Sequence, residues 1–106
     1  MLSEVKLAKR ISNTTFDPEF LRLIKTGVAD LENIGIEFEC TPVSAGGQIV
    51  DYTIPDELAA QAVLTYVLLH FGEPSNYAEL KVSYDEQKGQ LRENSKYGMV
   101  KAWEEA

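Results

Sequence analysis

The side chains able to do chemistry are few and far apart. Cys40 and His70 are the only cysteine and histidine, and 30 residues separate them. A structural zinc site needs four nitrogen or sulfur ligands, or carboxylates in their place, and no motif here supplies the missing ones. His70 sits between Leu69 and Phe71 near an expected helix end, a setting for a packing or capping role. Cys40 has Glu37 and Glu39 beside it in sequence, and negative charge close to a thiol raises its pKa and works against a nucleophile. The carboxylate pairs Asp56-Glu57 and Asp85-Glu86 are adjacent residues, which diverge around a helix. They read as first-turn and surface charges, not as an acid–base couple. Gly46-Gly47 lies in no GxGxxG or GxxxxGKS/T frame and has no Lys or Arg after it to meet phosphate, so it reads as a turn. No catalytic constellation, cofactor motif or metal set emerges, and an enzyme is not expected.

The elements that carry these residues read mostly as helices. A first helix is expected from Ser3 to Arg10 or Ile11, with Ser3 as cap, Glu4 at its start and Lys9 and Arg10 at its end. After the polar run Ser12-Asn13-Thr14-Thr15, the segment Phe16-Asp17-Pro18-Glu19 opens a second. There Asp17 is expected to accept from free amides, Pro18 to take the first helical position and Phe16 to staple onto Leu21. Phe20, Leu23, Ile24, Val28 and Leu31 recur at steps of three and four and give one apolar face. Gly27 falls on that face at a cost of up to ~1 kcal/mol relative to alanine, and permits a close helix crossing. Gly35 ends the helix.

A third helix is expected from Pro55 to Phe71, opened by Thr53 and Asp56 as a capping box or by Pro55 at the first helical position. It is apolar around nearly its whole circumference, with only Glu57, Gln61 and Thr65 as a polar line. Gly72 and Pro74 stop it. Ser75 or Asn76 caps a fourth, lined on one side by Tyr77, Leu80, Tyr84 and Leu91. Between the second and third helices, residues 36–54 alternate with period two from Ile36 to Thr41 and then pass through Pro42 and Ser44-Ala45-Gly46-Gly47. This stretch reads as a long irregular or hairpin-like loop, either a plain connection or a projection that touches a partner; its length raises the second reading. The expected fold class is all-α: a small bundle of about four helices with that loop between helices two and three.

At 106 residues, 44% hydrophobic and 25% charged, the chain has the size and composition of one globular domain. Such a chain buries roughly 60–68% of its unfolded surface, so its core is thin. A nearly all-apolar third helix is then expected to be covered on one side by a neighbour. The net charge of −7 is unevenly spread: residues 36–78 carry six acids (Glu37, Glu39, Asp51, Asp56, Glu57, Glu73) and no Lys or Arg. That surface should repel a phosphate backbone, and no helix has the basic face that reads DNA, so sequence-specific nucleic-acid binding is not expected. Neither a signal peptide nor a membrane-spanning run is read, and the lone cysteine fits a reducing cytoplasm. Residues 1–95 are expected to form a helical domain. Residues 96–106 are expected to form a tail whose Tyr97, Met99 and Trp103 suit partner binding.

The segment Ala62-Val63-Leu64-Thr65-Tyr66-Val67-Leu68-Leu69-His70-Phe71-Gly72-Glu73-Pro74, followed by Leu80-Lys81-Val82-Ser83-Tyr84-Asp85-Glu86-Gln87-Lys88-Gly89-Gln90-Leu91, resembles the small head–tail connector proteins of long-tailed bacteriophages and prophages. Asp17-Pro18-Glu19-Phe20-Leu21 opening the second helix, and Asp30-Leu31-Glu32-Asn33-Ile34-Gly35 closing it, extend the resemblance over nearly the whole chain. It departs early in the third helix, where Asp56, Glu57 and Gln61 stand in place of basic residues. The resemblance implies a structural subunit that forms a homo-oligomeric ring, commonly of twelve, beneath the portal protein. Such a ring extends the DNA channel after packaging and presents a surface to a tail-completion or stopper protein. The setting implied is the virion's head–tail junction, reached from the host cytoplasm. On that reading Tyr66, Leu68, Leu69, Tyr84, Tyr97, Met99 and Trp103 are candidate subunit or partner contacts, and Glu37, Glu39, Asp51 and Tyr52 are candidates for a loop facing the channel or an adjoining ring. The alternative is a small cytoplasmic regulatory or accessory module that binds one protein.

Overall fold

The apolar run after Pro55 folds as a central rod, and the amphipathic segments before and after it cover that rod. In a computed structural model, which describes residues 1–93, the chain forms α1 (Leu2–Lys9), α2 (Asp17–Asn33), β1 (Thr41–Ala45), β2 (Gln48–Thr53), α3 (Glu57–His70) and α4 (Tyr77–Glu93). α3 packs against both α2 and α4, and α1 touches α2 and α3. The molecule measures 48 × 36 × 18 Å, and its short dimension holds no more than two helix layers at roughly 10 Å each. Phe20, Ile24 and Leu31 of α2, Val63 and Val67 of α3, Val5 of α1, Leu91 of α4 and Ile36 form its fully buried centre.

Gly27 sits where α2 meets α3. A Cβ added there would lie 3.0 Å from Cδ1 of Tyr66, so the bare backbone lets the Tyr66 ring lie flush against α2. Beyond it, Gly35 at φ 90° closes α2. Its N–H bonds to the Glu32 carbonyl and that of Ile36 to the Leu31 carbonyl, both at 3.0 Å, while the side chains of Ile36 and Leu31 are both fully buried. This is the left-handed helix ending in which a hydrophobic contact locks the turn.

Three local expectations are corrected. Asp17 is not the cap of α2; it lies inside the first turn, and its carboxylate meets Lys6 Nζ at 3.0 Å. Ser3 does not cap α1; it lies inside the helix, which begins at Leu2 with Met1 as its N-cap. The Phe16 ring stands 6.3 Å from that of Phe20 and, edge-on, 5.3 Å from that of Phe71 just past α3, a favoured aromatic arrangement. Pro55 precedes α3 instead of entering it. Asp56 is the cap, accepting from the Ala59 amide at 3.0 Å.

The all-α expectation is also corrected. Residues 41–53 are a two-stranded antiparallel sheet, so the protein is mostly helical but not all-α. Thr41, Val43, Ile49, Val50 and Thr53 are β-branched and favour extended backbone. Gly46 and Gly47, at φ 60° and 79°, supply the two left-handed positions that a tight hairpin turn requires. A bulge interrupts the pairing between Val43 and Ser44. Pro42 stands opposite Tyr52, whose N–H bonds to Asp51 Oδ1 and whose carbonyl accepts from Met1 N. That pair is one the ladder leaves without cross-strand bonds, so proline's missing N–H breaks none.

Gly27→Leu should lower stability by about 1–3 kcal/mol through overpacking against Tyr66. Gly89→Ala, on an open face of α4 where nothing lies within 4 Å, should raise it by up to ~1 kcal/mol. Urea denaturation of the two variants measures both.

Candidate interaction surface

The residues with reactive side chains are not brought together. Among the described residues, no group of three His, Cys, Asp or Glu is placed to hold a metal ion, and no helix is long and apolar enough to cross a membrane. His70 is exposed, with its ring centroid 4.2 Å from that of Tyr66. Cys40 is half-buried, and burial pushes its thiol upward, with Glu32 adding to the shift. The Met1 ammonium works in the opposite direction.

Of the candidate contacts on the helices, two are inside the chain's own core. Leu69 is buried, and Tyr84 is only 4% exposed. Tyr84 Oη donates to Asp30 Oδ2 at 2.5 Å, its ring meets Tyr66 edge-on at 5.6 Å, and Lys88 Nζ lies 4.7 Å over it. Burial pushes the Tyr84 phenol far above its usual range, and the bond to the Asp30 carboxylate adds to this. Tyr66 is shifted upward too, by burial and then by Asp30. Tyr66 and Leu68 are half-buried and keep some surface for a neighbour. Tyr97, Met99 and Trp103 lie outside the described residues.

The ribbon is different. Residues 41–50 are exposed throughout, and Val43, Ile49 and Val50 stand 40%, 44% and 41% open to solvent. Glu37 and Glu39 are exposed just before it. An open groove of about 380 Å³ runs between the ribbon and the start of α2, lined by Asp17, Pro18, Leu21, Gln48, Ile49 and Val50. The other two loop candidates serve the base. Tyr52 is buried. Asp51 Oδ1 accepts from the amides of Leu2 at 2.9 Å and Tyr52 at 2.7 Å, with Met1 N at 3.5 Å.

Sequence reasoning did not single out the exposed apolar side chains Leu7, 80% open, Leu58 and Val82, and Tyr77, expected on the lined side of α4, is exposed as well. A signal for Val82 was present, since it falls off the line of Leu80, Tyr84 and Leu91 and so belongs to the outer face of α4. The groove residues had no such signal, because strand and helix meet there only through tertiary structure.

The arrangement offers surface: a projecting apolar ribbon beside the exposed Glu37 and Glu39, on a helical body tied internally by the Tyr84–Asp30 bond. Compared with known families, the chain matches that of the phage connector proteins over residues 1–98. No curated protein and no solved structure matches it.

Tyr84→Phe should cost about 1–2 kcal/mol, because it leaves the Asp30 carboxylate without its donor. The folded state holds the Tyr66 and Tyr84 phenols protonated beyond the range of the unfolded chain. Stability should therefore be flat with respect to these groups below pH ~10 and fall above it. The fall should be shallower in Tyr84→Phe, as read by urea denaturation at stepped alkaline pH.

Proposed function

The chain belongs to the phage connector protein family, and we propose that it serves as the head–tail connector subunit of a long-tailed phage or prophage, assembling as a ring beneath the portal and extending the channel through which DNA passes. The observation that carries this reading is the ribbon. Val43, Ile49 and Val50 form apolar surface on a projection with no core of its own, which is the signature of a contact made with another protein. The half-buried Tyr66 and Leu68 offer further contact area on α3.

Charge supports the conduit half of the proposal. The six acids and absent bases of residues 36–78 give a wall to which a sliding polyanion does not adhere. Glu37 and Glu39 are exposed and suit that task, whereas Asp51 caps α1, so its neutralisation would act through stability. The tail-completion or stopper protein would then meet the face of the ring opposite the portal.

Native mass spectrometry with and without portal protein tests the assembly. High oligomers are expected at raised concentration or with portal present, and Ile49→Asp with Val50→Asp should reduce them at least tenfold with the melting temperature little changed. Trp103→Ala should weaken assembly more than folding. A monomer under every condition would instead favour an accessory module that binds one protein. Phage carrying Glu37→Gln with Glu39→Gln should show slowed DNA ejection; unchanged ejection removes the channel role of this charge.

A further inference from the structure

Two elements of this fold are too small to stand alone. α1 has eight residues, well under the length at which an isolated helix is stable in water. A two-stranded ribbon is likewise marginal by itself. Each leans on the other at one point. The Asp51 carboxylate accepts from the amide of Leu2 at 2.9 Å, which caps α1 from the far end of the sequence. The same oxygen accepts from the amide of Tyr52 at 2.7 Å, and Met1 N donates to the Tyr52 carbonyl at 3.1 Å. The start of α1 therefore covers the outer backbone groups of β2 at the base of the ribbon.

We propose that α1 and the ribbon open and close as one unit joined through Asp51, so that displacement of α1 by a partner frees the ribbon for its own contact. The remaining attachments of α1 are Val5, its one buried residue, Met1 before it in the core, Leu2 partly buried against that core, Lys6 on Asp17 at 3.0 Å, and Lys9 over the Phe71 ring at 5.5 Å. Its outer side presents Leu7, the most exposed large apolar side chain described. The ribbon beyond its base has little besides this junction and the groove against α2 to set its angle. Units with so few buried contacts open at free energies below that of global unfolding, and they do so as contiguous blocks. The link to assembly order rests on the docking role given to the ribbon above; the coupling itself does not. The test reads the coupling alone, so either idea can fail while the other stands.

Native-state hydrogen exchange on the full chain decides it. Ala8 is exposed on α1, so Ala8→Gly weakens that helix without touching the core and should speed its exchange about fivefold. The cross-strand amides of β1 and β2, which Ala8 does not adjoin in sequence, should speed up by a similar factor, with α2 and α3 unchanged. In an Asp51→Ala background, Ala8→Gly should still speed α1 but no longer the ribbon. Ribbon exchange unmoved by Ala8→Gly overturns the proposal, as does an equal response with Asp51 removed. A matching rise in α2 and α3 also overturns it, since that is global unfolding.

Discussion

Everything in this fold answers to one constraint: a fourteen-residue helix with almost no polar side must be covered by a short chain. Covering it depends on how closely α2 can approach, and that is set at Gly27. With no side chain there, Tyr66 of α3 lies against the α2 backbone and turns its ring toward Tyr84 of α4. Tyr84 in turn donates to Asp30, one turn beyond Gly27 on α2. Three helices are thus tied through one chain of contacts, in which the buried Tyr84 hydroxyl is paired with the Asp30 carboxylate, as a buried polar group must be to help specify a single packing.

The same solution explains where the molecule remains open. A slab 18 Å thick has little interior, and α1 and α4 put only Val5, Tyr84 and Leu91 fully into it. The hydrophobic side chains left over are carried outward, onto the ribbon and the outer faces of α1 and α4. For a phage connector this division is useful, since a subunit that works by contact needs a body that holds its shape and an extension that meets a neighbour. Of the acids in the middle of the sequence, Glu37 and Glu39 are exposed just before that extension and Asp51 stands at its base.

The helices were legible because periodicity and punctuation agree in them. Gly35 and Gly72 mark the ends of α2 and α3, and both adopt positive φ; Phe20, Leu23, Ile24 and Leu31 mark the buried face of α2. The ribbon was half legible. Its alternation and its Gly46-Gly47 turn were in view, but short extended segments have no register until something pins them, and here the pin is Asp51 reaching a helix about fifty residues away. Asp17 misled for the same reason: local rules named the free amides as its partners, while Lys6 arrived from another element. Tyr84 reads as an interface aromatic by type, and only the placement of Asp30 opposite it makes it internal. The family resemblance drew on the α3 and α4 segments, where sequence and structure are in closest step.

Pro42 has a further consequence. Its ring leaves the free margin of β1 short of a donor, and on the other margin, at Tyr52, the backbone is already occupied by Met1 and Asp51. An exposed hairpin rich in valine and isoleucine is the kind of segment that zips strand upon strand into fibres. With both margins blunted, the hairpin keeps its apolar side chains exposed while runaway polymerisation through the backbone is denied a place to begin.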